Sequence, residues 1–398
     1  MMDTATFDYN SNKYMLEGEE ILFGNLAYDK IIELLTSKEK TVIFAGNKSF
    51  SQSSFEELFN QYCSKDNFFL YRGIPAEPDC DVIYDMVNFL TLNQVERVIA
   101  IGGGSVLDAA KAAYLVYQTN WKLEDLFGSN KWSSANPNKE LKTIIAIPTT
   151  SGTGSEATPY SNIVDRKLKV KKLISEVKIV PSLALMDYKY TLSMPKGVTL
   201  ATGCDALAHL IEGFINVGAD KNYPLANDWA LTGIRLVKEN LKQACLEPGN
   251  EYARIQMAKA ALLGGMVIRY KSTGLPHLCS FSWFGRIEHG IAAIMLLPES
   301  WKWYLGNELV ANRTMQLKGI FNGNTHEEII DDIRNFLTDI GVPRDFSVFP
   351  DIDEGLLEKT AKAAKENPMK LELAPRRVPL EDSYQIIKSI LNKTSKLA

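Results

Sequence analysis

RVIAIGGGS, residues 97–105, is an apolar run that ends in three glycines and then opens a helical pattern. Successive apolar residues without polar alternation fit a strand buried on both faces, the habit of parallel sheets covered by helices. Small and apolar side chains then recur at helical spacing over residues 105–117, so strand, glycine turn and helix follow one another. The pattern repeats on either side. TVIFA (41–45), NFFLY (67–71) and TIIAIP (143–148) read as further strands, with helical patterns at 54–62 and 79–92. This predicts an α/β N-terminal half built on a parallel sheet. From about residue 195 strand signals thin out. Amphipathic stretches at 199–217, 223–244, 251–270, 289–303, 325–340 and 352–364 predict a mainly helical second half, beginning just after SLALMD.

Composition narrows the function classes. The chain has 398 residues, long enough for two cores, and 45% of them are hydrophobic. A formal charge of -4 and the lack of a basic tract argue against a nucleic-acid partner. Lys167, Lys169, Lys171 and Lys172 cluster, which reads as a solvated loop or strand edge. The opening MMDTATFDYNSNKY lacks the charged-then-apolar form of a signal peptide, and no apolar run reaches the roughly 20 residues that span a bilayer. Five cysteines without a CxxC pair make no disulfide framework, so a cytoplasmic setting without membrane attachment is expected. Cys204 and Cys279 read as small core residues.

The turn Gly102–Gly103–Gly104–Ser105 lets a ligand approach the backbone and presents helix N-terminal amides to a pyrophosphate. Asp108 and Lys111 occupy the first turns of the helix that follows. The turn is not the GxGxxG of the common dinucleotide fold, and alone it reads equally as a plain turn. PTTSGTGSE (148–156) follows another strand with a density of hydroxyls and glycines that a turn does not need. Two such loops after parallel strands fall at the same, C-terminal sheet edge, and together they point to a nucleotide. After TVIFA come Gly46, Asn47, Lys48 and Ser49. No carboxylate is available there for an adenine ribose, so NADP is as acceptable as NAD.

Asp205 and His209 stand at i and i+4, one turn apart on one helical face. His277 and His289 follow, the latter before Gly290. The chain has four histidines, and three of them fall in this set. The fourth, His326, precedes Glu327 and Glu328 at a helix start. One carboxylate with three imidazoles suits zinc or ferrous iron. Such a centre polarises a carbonyl oxygen or holds an alcohol as its alkoxide, which beside a nicotinamide permits hydride transfer.

Together, ILFGNLA, IGGGSVLDAAK, IPTTSGTGSEAT, PSLALMD, TGCDALAHLIEGF, GLPH, EHGIAA and PRRVPLED resemble the iron-containing (group III) alcohol dehydrogenase family over nearly the whole chain. The resemblance implies an α/β dinucleotide-binding domain (1–190) and a helical, metal-binding catalytic domain (191–398), a cleft between them, and usually a homodimer. It implies NAD(P)(H) held through Asn47, Gly103, Gly104, Ser105, Thr149, Thr150, Thr153 and Lys172. A divalent metal, Fe2+ or Zn2+, would be held by Asp205, His209, His277 and His289. Many members carry another histidine four residues after the third ligand; here that position is Phe281. The stretch from His277 to His289 is also about two residues shorter than usual and contains Trp283, Phe284 and Arg286. The aromatic looks similar to a branch that reduces phosphonate- or sulfonate-bearing aldehydes, with Arg286 as the anion's partner. Simple alcohols or diols are the alternative substrates, and a non-catalytic nucleotide-binding protein is a further alternative. Glycerol dehydrogenase and dehydroquinate synthase share the architecture, but their corresponding loops differ from TSGTGSE.

Overall fold

Val42 and Phe44 pack into one core and Ile43 and Ala45 into another, so the strand Thr41–Ala45 is buried on both faces. Val98 and Ala100, against Ile99 and Ile101, divide the next apolar run in the same way. Helices Cys80–Asn93 and Gly104–Thr119 cover the first face, and Asn25–Leu35 and Phe55–Tyr62 the second. The computed structural model describes residues 12–63, 66–168, 170–220 and 223–395. The chain divides into two compact units, Met1–Thr150 with Ser155–Met194, and Ser151–Gly154 with Pro195–Ala398.

Ten strands are described in the first unit. They are β1 (Lys13–Leu16), β2 (Glu19–Phe23), β3 (Thr41–Ala45), β4 (Phe68–Arg72), β5 (Arg97–Gly102), β6 (Gly128–Ser129), β7 (Ile145–Pro148), β8 (Tyr160–Asp165), β9 (Val170–Ser175) and β10 (Leu183–Met186). Seven of them form one sheet in the order β1-β2-β10-β7-β5-β3-β4. All neighbours there are parallel except β1 and β2. The hairpin of β1 and β2 is not announced by the sequence pattern. SLALMD, read only as an apolar run before the boundary, supplies β10 between β2 and β7.

The lysine-rich segment departs from its expectation in part: Lys167 lies in an exposed turn, but Lys171 and Lys172 do not. Residues 170–175 form β9, the middle strand of a sheet ordered β6-β9-β8, rather than a loop or an edge. Its cations are partnered: Lys171 lies 3.1 Å from Glu77, and Lys172 lies 2.9 Å from Asp165. Lys169, like residues 1–11 of the polar N-terminus, lies outside the described residues.

Asp108 and Lys111, on the first turns of the Gly104–Thr119 helix, are both buried. Lys111 is 1% exposed. Its ammonium donates to the carbonyl oxygens of Ser155, Thr158 and Tyr160 at 2.5, 2.9 and 3.0 Å. Asp108 accepts from Ser155 Oγ at 2.6 Å and from the Asn162 amide at 2.9 Å. The pair fastens the Gly104–Thr119 helix to residues 155–162, and each buried charge has its hydrogen bonds.

Glu156 lies buried beside this knot. Burial pushes its carboxyl up to about 7, against its own amide and Lys111. A raised carboxyl pKa means the folded chain holds a proton that the unfolded chain has lost, so this group's contribution to stability falls as pH rises from about 4.5 to 7. Glu156→Gln mimics the protonated form. Denaturant titrations should find it matching the parent near pH 4.5 and exceeding it above pH 7, by up to about 3 kcal/mol. A pH-independent difference would contradict this.

The second unit is built around the helix Lys196–Ile215, fifteen of whose residues are buried. Leu225–Leu246, Glu251–Tyr270 and His289–Tyr304 pack against it. The crossing with His289–Tyr304 is close enough that only glycine fits. A Cβ on Gly290 would lie 2.0 Å from the Ala201 carbonyl oxygen and 2.7 Å from Asp205 Cβ. Outer helices include His326–Asp339, started by a Thr325–Glu328 capping box that leaves His326 far from the other histidines in role. Shorter helices at Leu275–Ser280, Glu308–Met315 and Pro368–Glu372, and the longer Ser383–Ser395, are absent from the sequence expectation.

Candidate metal and nucleotide sites

Asp205 and His209 lie near the middle of the Lys196–Ile215 helix, one turn apart and both buried. His277 is the third residue of the Leu275–Ser280 helix, and His289 is the first of its own. Their Nε2 atoms converge on one oxygen. Asp205 Oδ1 is 3.5 Å from His277, 3.7 Å from His289 and 3.9 Å from His209. Asp205 Oδ1 and His277 Nε2 are buried without a hydrogen-bond partner. Ligand bonds of roughly 2.0–2.1 Å in a tetrahedron give ligand separations of about 3.4 Å, so these orphaned donors stand at the spacing that a small divalent ion would satisfy.

Charge in the cluster is set locally. Burial disfavours the Asp205 carboxylate, but the three imidazoles outweigh it and hold the group well below the usual carboxylate range. Burial lowers His209 to about 4, with Asp205 opposing. Burial also acts downward on His277, yet the Glu212 and Asp205 carboxylates carry it up to about 9.

A second layer lies behind the imidazoles. Glu212, fully buried, accepts from His277 Nδ1 through Oε1 and from the Gly274 amide through Oε2 at 2.6 Å. Ser280 Oγ donates to the His277 carbonyl at 2.8 Å and lies 3.1 Å from His289 Nδ1. Lys370, its ammonium lowered to about 8 by burial against the pull of Glu212, donates to Thr273 Oγ1 at 3.0 Å. The sequence reading passed over Glu212 and Ser280. Glu212 was within reach, since it repeats the face of Asp205 at i+7 and of His209 at i+3.

Phe281 stacks on His289, with ring centroids 5.8 Å apart and planes 17° apart. His289 is the most exposed of these four side chains, being 28% accessible. Phe281 therefore places an apolar ring against the open member of the cluster. Arg286 is exposed and donates to the Asp351 carbonyl at 2.9 Å. Trp283, fully buried, donates to Thr360.

In the first unit, β3, β5 and β7 end level, Ala45 opposite Ile101 and Gly102 opposite Pro148. The chain leaves β3 towards β4 and leaves β5 towards β7, so the strand order reverses between them. Ligands of open α/β sheets bind at such a reversal, outside the strand C-termini. Asn47, Gly103 to Ser105, Thr149 and Thr150 all emerge there. A Cβ on Gly103 would meet Thr150 at 3.1 Å, so the two loops touch. Asn47 is exposed, whereas Thr149 is buried and its amide already donates to Gly102 at 3.0 Å. Ser105 Oγ accepts from the Glu77 amide at 3.2 Å. Lys172 belongs to the smaller sheet, paired with Asp165 and 5.3 Å from the Phe127 ring. Thr153 falls with Ser151–Gly154 in the second unit.

Two family descriptions match: "Iron-containing alcohol dehydrogenase" over residues 18–188, and "Fe-containing alcohol dehydrogenase family, C-terminal" over residues 199–391. The chain belongs to this family. An alcohol dehydrogenase of Thermococcus barophilus is 30% identical over 81% of this chain and 83% of its own length. The NAD-dependent methanol dehydrogenase of Bacillus methanolicus is 30% identical over 79% and 83%. The crystal structure of the sulfoacetaldehyde reductase of Bifidobacterium kashiwanohense in complex with NAD+ superposes with a TM-score of 0.79, at 25% identity, over 97% of this chain and 99% of that one. The α/β half followed by a helical half is thus the fold of the iron-containing alcohol dehydrogenases. Cys204 and Cys279 are thiols buried in the core.

Proposed function

We propose that this member of the family is a metal-dependent, NAD(P)H-linked alcohol dehydrogenase or aldehyde reductase acting on short substrates. The convergence of three Nε2 atoms on the unpaired Asp205 Oδ1 carries the reading. A divalent ion held by Asp205, His209, His277 and His289 would supply Lewis acidity at a carbonyl or alcohol oxygen, with the hydride coming from or going to a nicotinamide. The loops after β3, β5 and β7 would bind the dinucleotide, through backbone amides at Gly103 to Ser105 and hydroxyls at Thr149, Thr150 and Thr153. Lys172, engaged with Asp165, would contribute through its remaining donors.

Phe281 would form an apolar wall beside His289, in place of the relay histidine many relatives carry. That favours a short aldehyde or alcohol with a small apolar substituent. A second reading, an anionic two-carbon aldehyde, is favoured by the likeness to a sulfoacetaldehyde reductase. Arg286, one of whose NH groups donates to the Asp351 carbonyl, would serve it through its remaining donors. Reductase assays on metal-reconstituted protein, with NADH and NADPH and with neutral and charged short aldehydes, test both. Better turnover of the charged substrates selects the second reading. Cofactor binding without turnover of any aldehyde would favour a non-catalytic role.

Phe281→Ala removes the wall. For apolar aldehydes, kcat/KM should fall about tenfold, the effect of one well-packed apolar group. Equal losses for charged and apolar substrates would show that Phe281 does not select the substituent.

A further inference from the structure

Each imidazole can present only one nitrogen to an ion, and the partner of its other nitrogen decides which. At His277 that partner is Glu212, a carboxylate from the same helix as Asp205 and His209. Both Glu212 oxygens are committed as acceptors, Oε1 to His277 Nδ1 and Oε2 to the Gly274 amide, which begins the turn into the His277 helix. Tyr304 completes that turn, its hydroxyl accepting from the Leu275 amide at 2.7 Å. Glu212 thus grips the third ligand twice, by its ring and by the backbone that carries it.

We infer that Glu212 is a positioning residue for the metal centre: by accepting from His277 Nδ1 and from the Gly274 amide it fixes the ring so that Nε2 is the nitrogen turned towards Asp205 and left to the ion. The inference rests on the metal reading above. A plain amide cannot replace the carboxylate. Two N–H donors point at two oxygens, and glutamine offers one oxygen and one NH2 group. If its oxygen keeps the Gly274 amide, its NH2 faces His277 Nδ1 and moves the ring proton to Nε2, where it blocks ligation. If the amide flips, the Gly274 N–H is left facing another donor in a buried place.

Metal affinity read by chelator competition, with Zn2+ or Co2+ as probe, separates this from a role in the turn alone. Glu212→Gln should raise the dissociation constant 10- to 100-fold, the range seen for such outer partners. Tyr304→Phe, which cuts the neighbouring bond of the same turn without touching His277, should change it less than threefold. Equal losses in the two variants would reduce Glu212 to a cap of the turn and overturn the inference. So would an unchanged affinity in folded Glu212→Gln. Wild-type protein tests the same point without a substitution. Nitrogen-15 spectra of the zinc-loaded chain should show a protonated Nδ1 at His277, and a bare Nδ1 there would overturn the inference even if Glu212→Gln fails to fold. Failure of the wild type to bind either ion would instead sink the metal reading itself.

Discussion

Asp205→Asn is expected to fold, to bind dinucleotide, and to lose nearly all of its metal and its turnover. Asparagine keeps the shape of the side chain, so the packing against Gly290 is preserved. What it removes is the one negative charge on which three imidazole nitrogens converge at 3.5–3.9 Å. A divalent ion would then sit among neutral donors in a buried place, at a cost of several kcal/mol. The polarisation of the substrate oxygen goes with the ion, and several kcal/mol of barrier correspond to a drop in kcat/KM of about a thousandfold or more. Elemental analysis of purified variant, with steady-state rates at saturating cofactor, checks this. Stoichiometric metal with a rate within tenfold of wild type would refute the assignment of Asp205.

Gly290→Ala should damage both units of measurement, stability and metal content, through one added methyl group. Its Cβ would come 2.0 Å from the Ala201 carbonyl, 2.7 Å from Asp205 Cβ and 2.8 Å from the Asp205 amide. Backbone atoms cannot rotate away, so the two helices must part. Forced overpacking of this kind costs about 1–3 kcal/mol where side chains yield, and about 4 kcal/mol is expected where they cannot. The strain falls between His289 and Asp205, so metal affinity should fall by tenfold or more as well. Denaturation midpoints together with chelator competition test it. A variant as stable as the parent would mean that the crossing is looser than its contacts show.

What the sequence disclosed follows from where polar groups were needed. β3, β5 and β7 were legible because both of their faces are buried, leaving runs with no polar alternation. β1, β2, β8 and β9 were not. They are short or half-exposed, and the charges on β9 look like solvent-facing lysines until Glu77 and Asp165 arrive from elsewhere in the chain. The Asp205–His209 pair was legible as a one-turn repeat, and His277 and His289 became legible through the scarcity of histidine and the family resemblance. Glu212 was missed because a lone glutamate on an amphipathic helix ordinarily faces water. Its partners, His277 and the Gly274 amide, lie more than sixty residues away. Lys111 and Lys370 were hidden for the same reason: a buried cation is specified by distant oxygens, and local pattern does not carry them.

The Lys196–Ile215 helix has one last consequence. Contrary to the expectation from the sequence, it is 20 residues long and apolar enough to cross a bilayer by length and composition, although 83% of its most apolar window is buried inside the protein. A nascent chain therefore exposes a segment that an insertion machinery could sample. Asp205 stands at the tenth of its 20 positions, where a carboxylate raises the cost of insertion by about 2.5–3.5 kcal/mol. Glu212 adds a second charge two turns later. The carboxylates proposed to hold and to position a metal ion thus also raise the cost of placing this helix, while it is still bare, in a bilayer.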